Sequence, residues 1–350
     1  MANKKSSQLR IYALSTVVSA VLVAFVGVKA GIGALFLVLV LAALEITFSI
    51  DNAVVNTRIL EKMSRAWQQA FLTVGIVIAV FGVRVVLPLA IVAGLAGMSM
   101  PDVLNLAINN PQEYGDKLAD AHPIIAAFGG VFLMMIFLDF FLKDRKIKWL
   151  KTLEKILSQA GKLQNMSIIL ASTALLAFSS FLPSAEHLDV LTAGFFGLLT
   201  YLIINSFDTI LHNTGIENNL SKGANNTLKA GLIGFIYLNV IDASFSLDGV
   251  IGAFAITNQI LIIAVGLGIG ALYVRVITIH MLRHGVLDQY RYIEHGAHYA
   301  IGILAFLLLI SLNIHVSEIF TGLVGLVFVA TAVIHSVIEA KSHSSKKLEG

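Results

Sequence analysis

The sequence predicts an all-α, polytopic membrane helix bundle of about ten transmembrane helices in two inverted five-helix repeats. Three observations predict it. Of 350 residues, 57% are hydrophobic and 13% charged, with a mean hydropathy of +0.86. Soluble domains average about 45–50% apolar and about 25% charged, so a water-soluble protein is excluded. Apolar runs of near-spanning length follow one another along the chain, at about 20 residues per crossing. An intramembrane acidic motif then occurs twice, five spans apart.

The first set of runs is Ile11–Val28, Ala34–Val55, Ala70–Ala93, Pro123–Leu142 and Ser167–Leu182. The second is Val190–Leu211, Leu228–Leu247, Ile260–Met281, Ala297–Leu312 and Ile319–Ile338. The first run follows Lys4, Lys5 and Arg10 and resembles a signal peptide. It lacks an A-x-A-like cleavage site before the next span, so it reads as a retained helix. The organisation expected is a first repeat to span four (1–142), a basic connector (143–165), span five with an outside loop (166–189), a second repeat (190–340) and a tail (341–350).

Positive charge sets the orientation. With the N-terminus cytoplasmic, 20 of the 24 Lys and Arg fall inside, Lys29 and Lys117 outside, and Arg84 and Arg275 within spans. The outside loop Gly97–Ala121 carries Asp102, Glu113, Asp116 and Asp120, which fits the same orientation. Both termini are therefore expected in the cytoplasm. The stretch Lys143–Lys162 reads as an amphipathic cytoplasmic connector, either solvated or lying on anionic headgroups. A net charge of +3 carries no nucleic-acid argument, and the bilayer is the partner expected. The chain has no cysteine, which excludes disulfides, cysteine zinc sites and thiol catalysis.

Glu45-Ile-Thr-Phe-Ser-Ile-Asp51-Asn52 in the second span matches Asp242-Ala-Ser-Phe-Ser-Leu-Asp248-Gly249 in the seventh. Phe81-Gly-Val-Arg84-Val-Val in the third matches Leu272-Tyr-Val-Arg275-Val-Ile in the eighth. A fainter echo pairs Ala121-His122-Pro-Ile-Ile with Ala297-His298-Tyr-Ala-Ile. The unit is five helices. Because five is odd, the two copies run in opposite directions, the plan of many secondary transporters with midplane sites.

A charge at the centre of a span costs about 2.5–3.5 kcal/mol, so these acids need a partner or a purpose. Six residues separate Glu45 from Asp51, which on an unbroken helix points them about 120° apart. Either one acid faces a central cavity and the other a neighbouring helix, or the helix breaks within Ser49–Asn52 and Ser246–Gly249 and both converge. Glu45, Asp51, Asp242 and Asp248 against Arg84 and Arg275 leave a residual −2, which one divalent cation or two protons would neutralise. Thr47, Ser49, Asn52, Asn56, Asn239, Ser244 and Ser246 add oxygen and amide groups, a set suited to Mn²⁺, Mg²⁺ or Ca²⁺. The alternative is that each Arg neutralises one acid and the rest stay protonated.

Other polar groups read both ways. Asp139 sits near the inner end of the fourth span, where solvation explains it as well as function does. Asn205, Asp208 and His212 line an exit path or cap the interface. His280 with His284, and His295 with His298, are helical pairs that bind metal or lie solvated. No His-Glu-x-x-His, phosphate-binding loop or nucleophile–base pair is present, so neither an enzyme nor a cofactor is expected.

The paired segments, Glu45-x5-Asp51-Asn52-Ala-Val and Phe-Ser-Leu-Asp248-Gly-Val-Ile, resemble those of the TerC family of integral membrane proteins, with Gly249 where that family usually has Asn. The resemblance spans nearly the whole chain and is nearest to a TerC-like branch of unassigned function, within the LysE-exporter superfamily. It implies a bacterial inner (plasma) membrane protein that exports a divalent metal, Mn²⁺ foremost. It places metal-binding groups at Glu45, Asp51, Asn52, Asp242 and Asp248, supported by Ser49, Ser246, Arg84 and Arg275, with Asp139, Asn205 and Asp208 as path residues. Two alternatives stay open: export of a small organic cation or amino acid, and a non-transporting scaffold in metal or tellurite stress.

Overall fold

The structure is a computed structural model that describes residues 2–213, 224–257, 259–314 and 316–348. It is 87% helical, with no strand among the described residues. Eight helices are long and apolar enough to cross a membrane, and Met166–Ser179 is a shorter apolar helix. Large apolar side chains such as Phe81, Phe196, Val327 and Ile334 stand exposed along the outside. A continuous apolar surface of this kind is what a polytopic helix bundle offers to lipid.

The first element, α1 (Ala2–Phe48), is two helical limbs that meet at a kink at Gly31, which takes φ 85° and ψ −179°. That region is essentially reserved for glycine. The chain folds back there. Thr16 Oγ1 lies 3.5 Å from Tyr273 Oη, and Glu45 packs on Gly270, less than one turn away. On a straight helix residues 16 and 45 would be about 44 Å apart. Two limbs therefore stand where length alone counts one helix, and with Met166–Ser179 the apolar helical segments among the described residues number ten, as the sequence predicts.

Next come α2 (Ile50–Glu61), α3 (Arg65–Val77), a nine-residue π-helix (Ile78–Val86) and α4 (Leu87–Ala96). Pro88 explains the π-segment in part: it lacks an N–H and its ring excludes an ordinary α bond to the Arg84 carbonyl. Just before it, Leu87 N bonds Gly82 O, a π-type closure. The acidic loop 97–121 is a pair of short helices, α5 (Met100–Asn109) and α6 (Pro111–Asp120), tucked in by Val103, Ala107, Tyr114 and Leu118.

The remaining elements are α7 (His122–Phe141), α8 (Lys151–Ala160), α9 (Met166–Ser179), α10 (Ser184–Asn213), α11 (Ala224–Ile256), α12 (Ile260–His284), α13 (Val286–Gln289), α14 (Ile293–Ile310) and α15 (Glu318–Leu348). Both limbs of α1 lie along α12, while α7 packs between α10 and α14, and α15 covers α14. Glycines bring these backbones together. Nearest the site, a Cβ on Gly75 would lie 2.8 Å from Arg275 Nη1.

The two motif helices pass each other head to tail. Glu45 lies beside Gly249, a Cβ there being 3.4 Å from Glu45 Oε2, and Asn52 bonds Asp242. As numbers rise on one strand of this contact they fall on the other. The third and eighth spans behave alike: Gly75 meets Arg275 and Val80 meets Gly268. Helices matched in sequence thus run in opposite directions, the geometry an inverted repeat requires.

Candidate functional site

Two ion pairs, one per repeat, occupy equivalent positions. Arg84 Nη2 donates to Glu45 Oε1, and Arg84 Nη1 to Ala79 O at 2.8 Å within its own π-segment. In the second repeat Arg275 Nη2 donates to Asp242 Oδ2 at 3.1 Å. Its Nη1 donates to Phe71 O at 3.0 Å, and the guanidinium lies 3.7 Å over the Phe71 ring. All four charged side chains are buried. The sequence match between Arg84 and Arg275 is therefore a match of partners as well as of residues.

Around these pairs runs a polar seam. Glu45, Ser49, Asn52 and Asn56 are spaced four, three and four residues apart, and Asn239, Asp242, Ser246 and Gly249 three, four and three. Each spacing keeps one helix face. With Glu45 beside Gly249 and Asn52 bonded to Asp242, the antiparallel register sets Ser49 opposite Ser246 and Asn56 opposite Asn239. The register persists beyond, where Met63 Sδ would be 3.2 Å from a Cβ on Gly234 and the Trp67 ring covers Gly231.

The seam is short of partners. Asn52 Oδ1, Asn56 Oδ1, Asn239 Oδ1, Ser246 Oγ and Arg84 Nε are buried with none among the described residues. Unpaired buried polar atoms cost about 1–3 kcal/mol each and call for an occupant or a function. Apolar clusters close both ends: Leu60, Phe71, Phe235 and Leu238 at one, and Leu41, Val250 and Ala253 at the other.

Asp51 does not join this face. Its Oδ1 accepts from Asn52 N at 2.9 Å, and its Oδ2 lies toward Gly325 on α15, where a Cβ would be 3.8 Å away. No basic side chain among the described residues lies within ion-pair distance of it. Of the two arrangements the spacing allowed, the structure takes the divergent one. The helix does break at Ser49 (φ −101°, ψ 16°), yet Ser246–Gly249 is continuous helix within α11. Asp248 and Asp208 lie outside the residues whose side chains are described, as does His212. Among the described residues no three His, Asp or Glu gather in a metal-holding geometry.

Asp139 is fastened rather than solvated. It accepts from Ser167 Oγ and Tyr201 Oη, both at 2.7 Å, and has Lys143 at 3.7 Å, tying α7 to α9 and α10. Asn205 is half-buried one turn beyond Tyr201. The histidines make structural contacts: His284 Nδ1 and His298 Nδ1 meet the His280 and Glu294 carbonyls, and His298 stacks 3.6 Å from Phe140.

The sequence reading missed Glu154. This acid of the basic connector is buried, accepts from Trp149 N at 3.1 Å and Leu150 N at 3.0 Å, and lies 3.6 Å from His295 Nε2. It pins the connector to α14, with Trp149 Nε1 donating to His335 at 2.8 Å. Arg58 and Arg145 share Glu294 at 3.4 and 3.9 Å, which places the Arg58 end of the seam at the connector end of the bundle. Burial lowers the Arg145 guanidinium pKa against the pull of Glu294.

Fold and site together define a polytopic membrane protein with charged groups buried between two oppositely oriented repeats. The chain belongs to the family described as Protein of unknown function (DUF475), which matches residues 50–343 and so takes in Asp51, Arg84, Asp242 and Arg275. Among curated proteins and solved structures, nothing matches it.

Proposed function

We propose that the protein is a secondary-active exporter of a divalent metal cation, Mn²⁺ the favoured cargo, working by alternating access between its two repeats. The observation that supports this most is the closed polar seam, lined by two acids that each hold an arginine and by oxygens that hold nothing. The likeness of the acidic motifs to those of TerC proteins favours a metal as cargo.

In this reading Arg84 and Arg275 neutralise Glu45 and Asp242 while the site is empty, which lowers the cost of buried charge. A cation entering the seam competes for the same carboxylates and frees the guanidiniums. Asp248, and Asp51 once the repeats rock and turn it from Gly325 toward the seam, would supply the charge the arginines leave uncompensated. Rocking of one repeat against the other then opens the apolar closure at one end and shuts it at the other. The positive-charge bias favours a cytoplasmic side for both termini and the connector, and the likeness to TerC proteins favours outward transport across a bacterial inner membrane.

The docked basic connector favours one other reading, a membrane scaffold that recruits partners through Lys143–Lys162. Cells expressing Asp51→Asn, Asp248→Asn, or a connector with its lysines neutralised separate the two. The exporter reading requires metal sensitivity and raised cellular Mn²⁺ in the acid variants, with the connector variant near wild type. The reverse pattern, with all proteins inserted, would favour the scaffold.

A further inference from the structure

We infer that Asn56 and Asn239 form a second, uncharged subsite for a hard divalent cation, one turn beyond Asp242 toward the connector end of the seam. The inference rests on the exporter reading and adds to it a step that the acids cannot provide.

Asn52 commits its amide N–H to Asp242 at 3.0 Å, and Asn239 commits its own to Phe235 O at 2.7 Å. Their oxygens are thereby fixed as acceptors, and Asn56 Oδ1 is likewise buried without a partner. Asn56 is 1% exposed and Asn52 2%, so neither reaches bulk solvent. The Asn52 and Asn239 oxygens, both acceptors, cannot satisfy one another. An electron-poor partner suits them, and two buried carboxylates nearby favour a cation over an anion. Carbonyl-type oxygens without charge suit Mn²⁺, Mg²⁺ or Ca²⁺ and bind more weakly than carboxylates.

Position gives the subsite its role. The next rung of the same register is apolar, Leu60 against Phe235, within the cluster that also holds Phe71 and Leu238. A cation arriving from the connector end therefore meets the amide pair after passing that closure and before reaching Asp242. A weak neutral stop at this point would hold a partly dehydrated ion without trapping it.

The test titrates purified protein with MnCl₂ and measures Mn²⁺ flux in proteoliposomes, for wild type, Asp242→Asn, Asn56→Ala/Asn239→Ala and Asn239→Asp. The double alanine variant should bind Mn²⁺ within about threefold of wild type yet move it about tenfold more slowly, while Asp242→Asn loses binding. Asn239→Asp, which keeps an oxygen and adds charge, should bind Mn²⁺ about tenfold more tightly and release it more slowly. Wild-type flux in the double variant, or unchanged binding in Asn239→Asp, would overturn the subsite while leaving the exporter reading intact. A wild-type protein that binds and moves no divalent metal would overturn both.

Discussion

Asn52 of the first repeat donates to Asp242 of the second at 3.0 Å, on the oxygen that Arg275 does not use. One carboxylate thus ties together three helices, α2, α11 and α12. Its two partners come from different repeats, so the bond joins one repeat to the other, as do Arg275 Nη1 to Phe71 O and Thr57 Oγ1 to Thr278 O.

Asn52→Ala should leave Asp242 Oδ1 short of a donor and destabilise the fold by about 1–3 kcal/mol. Thermal unfolding in detergent, followed by the emission of the two tryptophans, measures it. An unchanged midpoint would mean that the Asn52 bond does not hold the repeats together.

Arg275→Gln should cost about 3–5 kcal/mol by leaving Asp242 buried and unpaired. Adding Asp242→Asn should recover part of that loss. Recovery stays partial, because Arg275 also bonds and stacks on Phe71. A double-mutant cycle reads the coupling, and additivity within about 0.5 kcal/mol would show the pair to be energetically idle. The same cycle on Glu45 and Arg84 should give coupling of the same sign.

Glu154→Gln should loosen the connector, since the carboxylate holds Trp149 N and Leu150 N and faces His295. A loss of about 1–2 kcal/mol of local stability would raise the open fraction about five- to thirtyfold. Trypsin cleavage at Lys151 and Lys155 should quicken accordingly. Cleavage at the wild-type rate would mean that the connector is held elsewhere.

Gly231→Ala should push the Trp67 ring off α11, because a Cβ there falls on the indole. The expected reading is a shift in tryptophan emission with no loss of helix by circular dichroism. An unchanged spectrum would contradict the close approach at that end of the seam.

Much of this architecture is legible in the sequence because intramembrane charge is costly and therefore rare. Glu45, Arg84, Asp242 and Arg275 stand out against apolar spans, and their recurrence in the same order, 39 residues apart in one copy and 33 in the other, marks two five-helix copies and so the inversion. The reversal at Gly31 is legible as the break between the runs Ile11–Val28 and Ala34–Val55, where Lys29, Gly31 and Gly33 interrupt the apolar pattern. The π-segment before Pro88 is hidden, because a proline announces a distortion but not its form. The direction of Asp51 depended on whether the backbone breaks; helical bonds from Ser49 N to Glu45 O and from Ala53 N to Ser49 O carry across the interruption at Ser49, so Asp51 diverges from Glu45 as on an unbroken helix and faces Gly325. Glu154 escaped notice because an acid among lysines reads as a surface ion pair, whereas its partners are backbone N–H groups and a distant histidine.

The most direct test of metal export is Mn²⁺, Mg²⁺, Ca²⁺ and Zn²⁺ flux in proteoliposomes, with wild type beside Asp51→Asn. Saturable Mn²⁺ movement that disappears in the variant is the predicted result. No metal movement by well-folded wild-type protein, or equal movement in both, would contradict it.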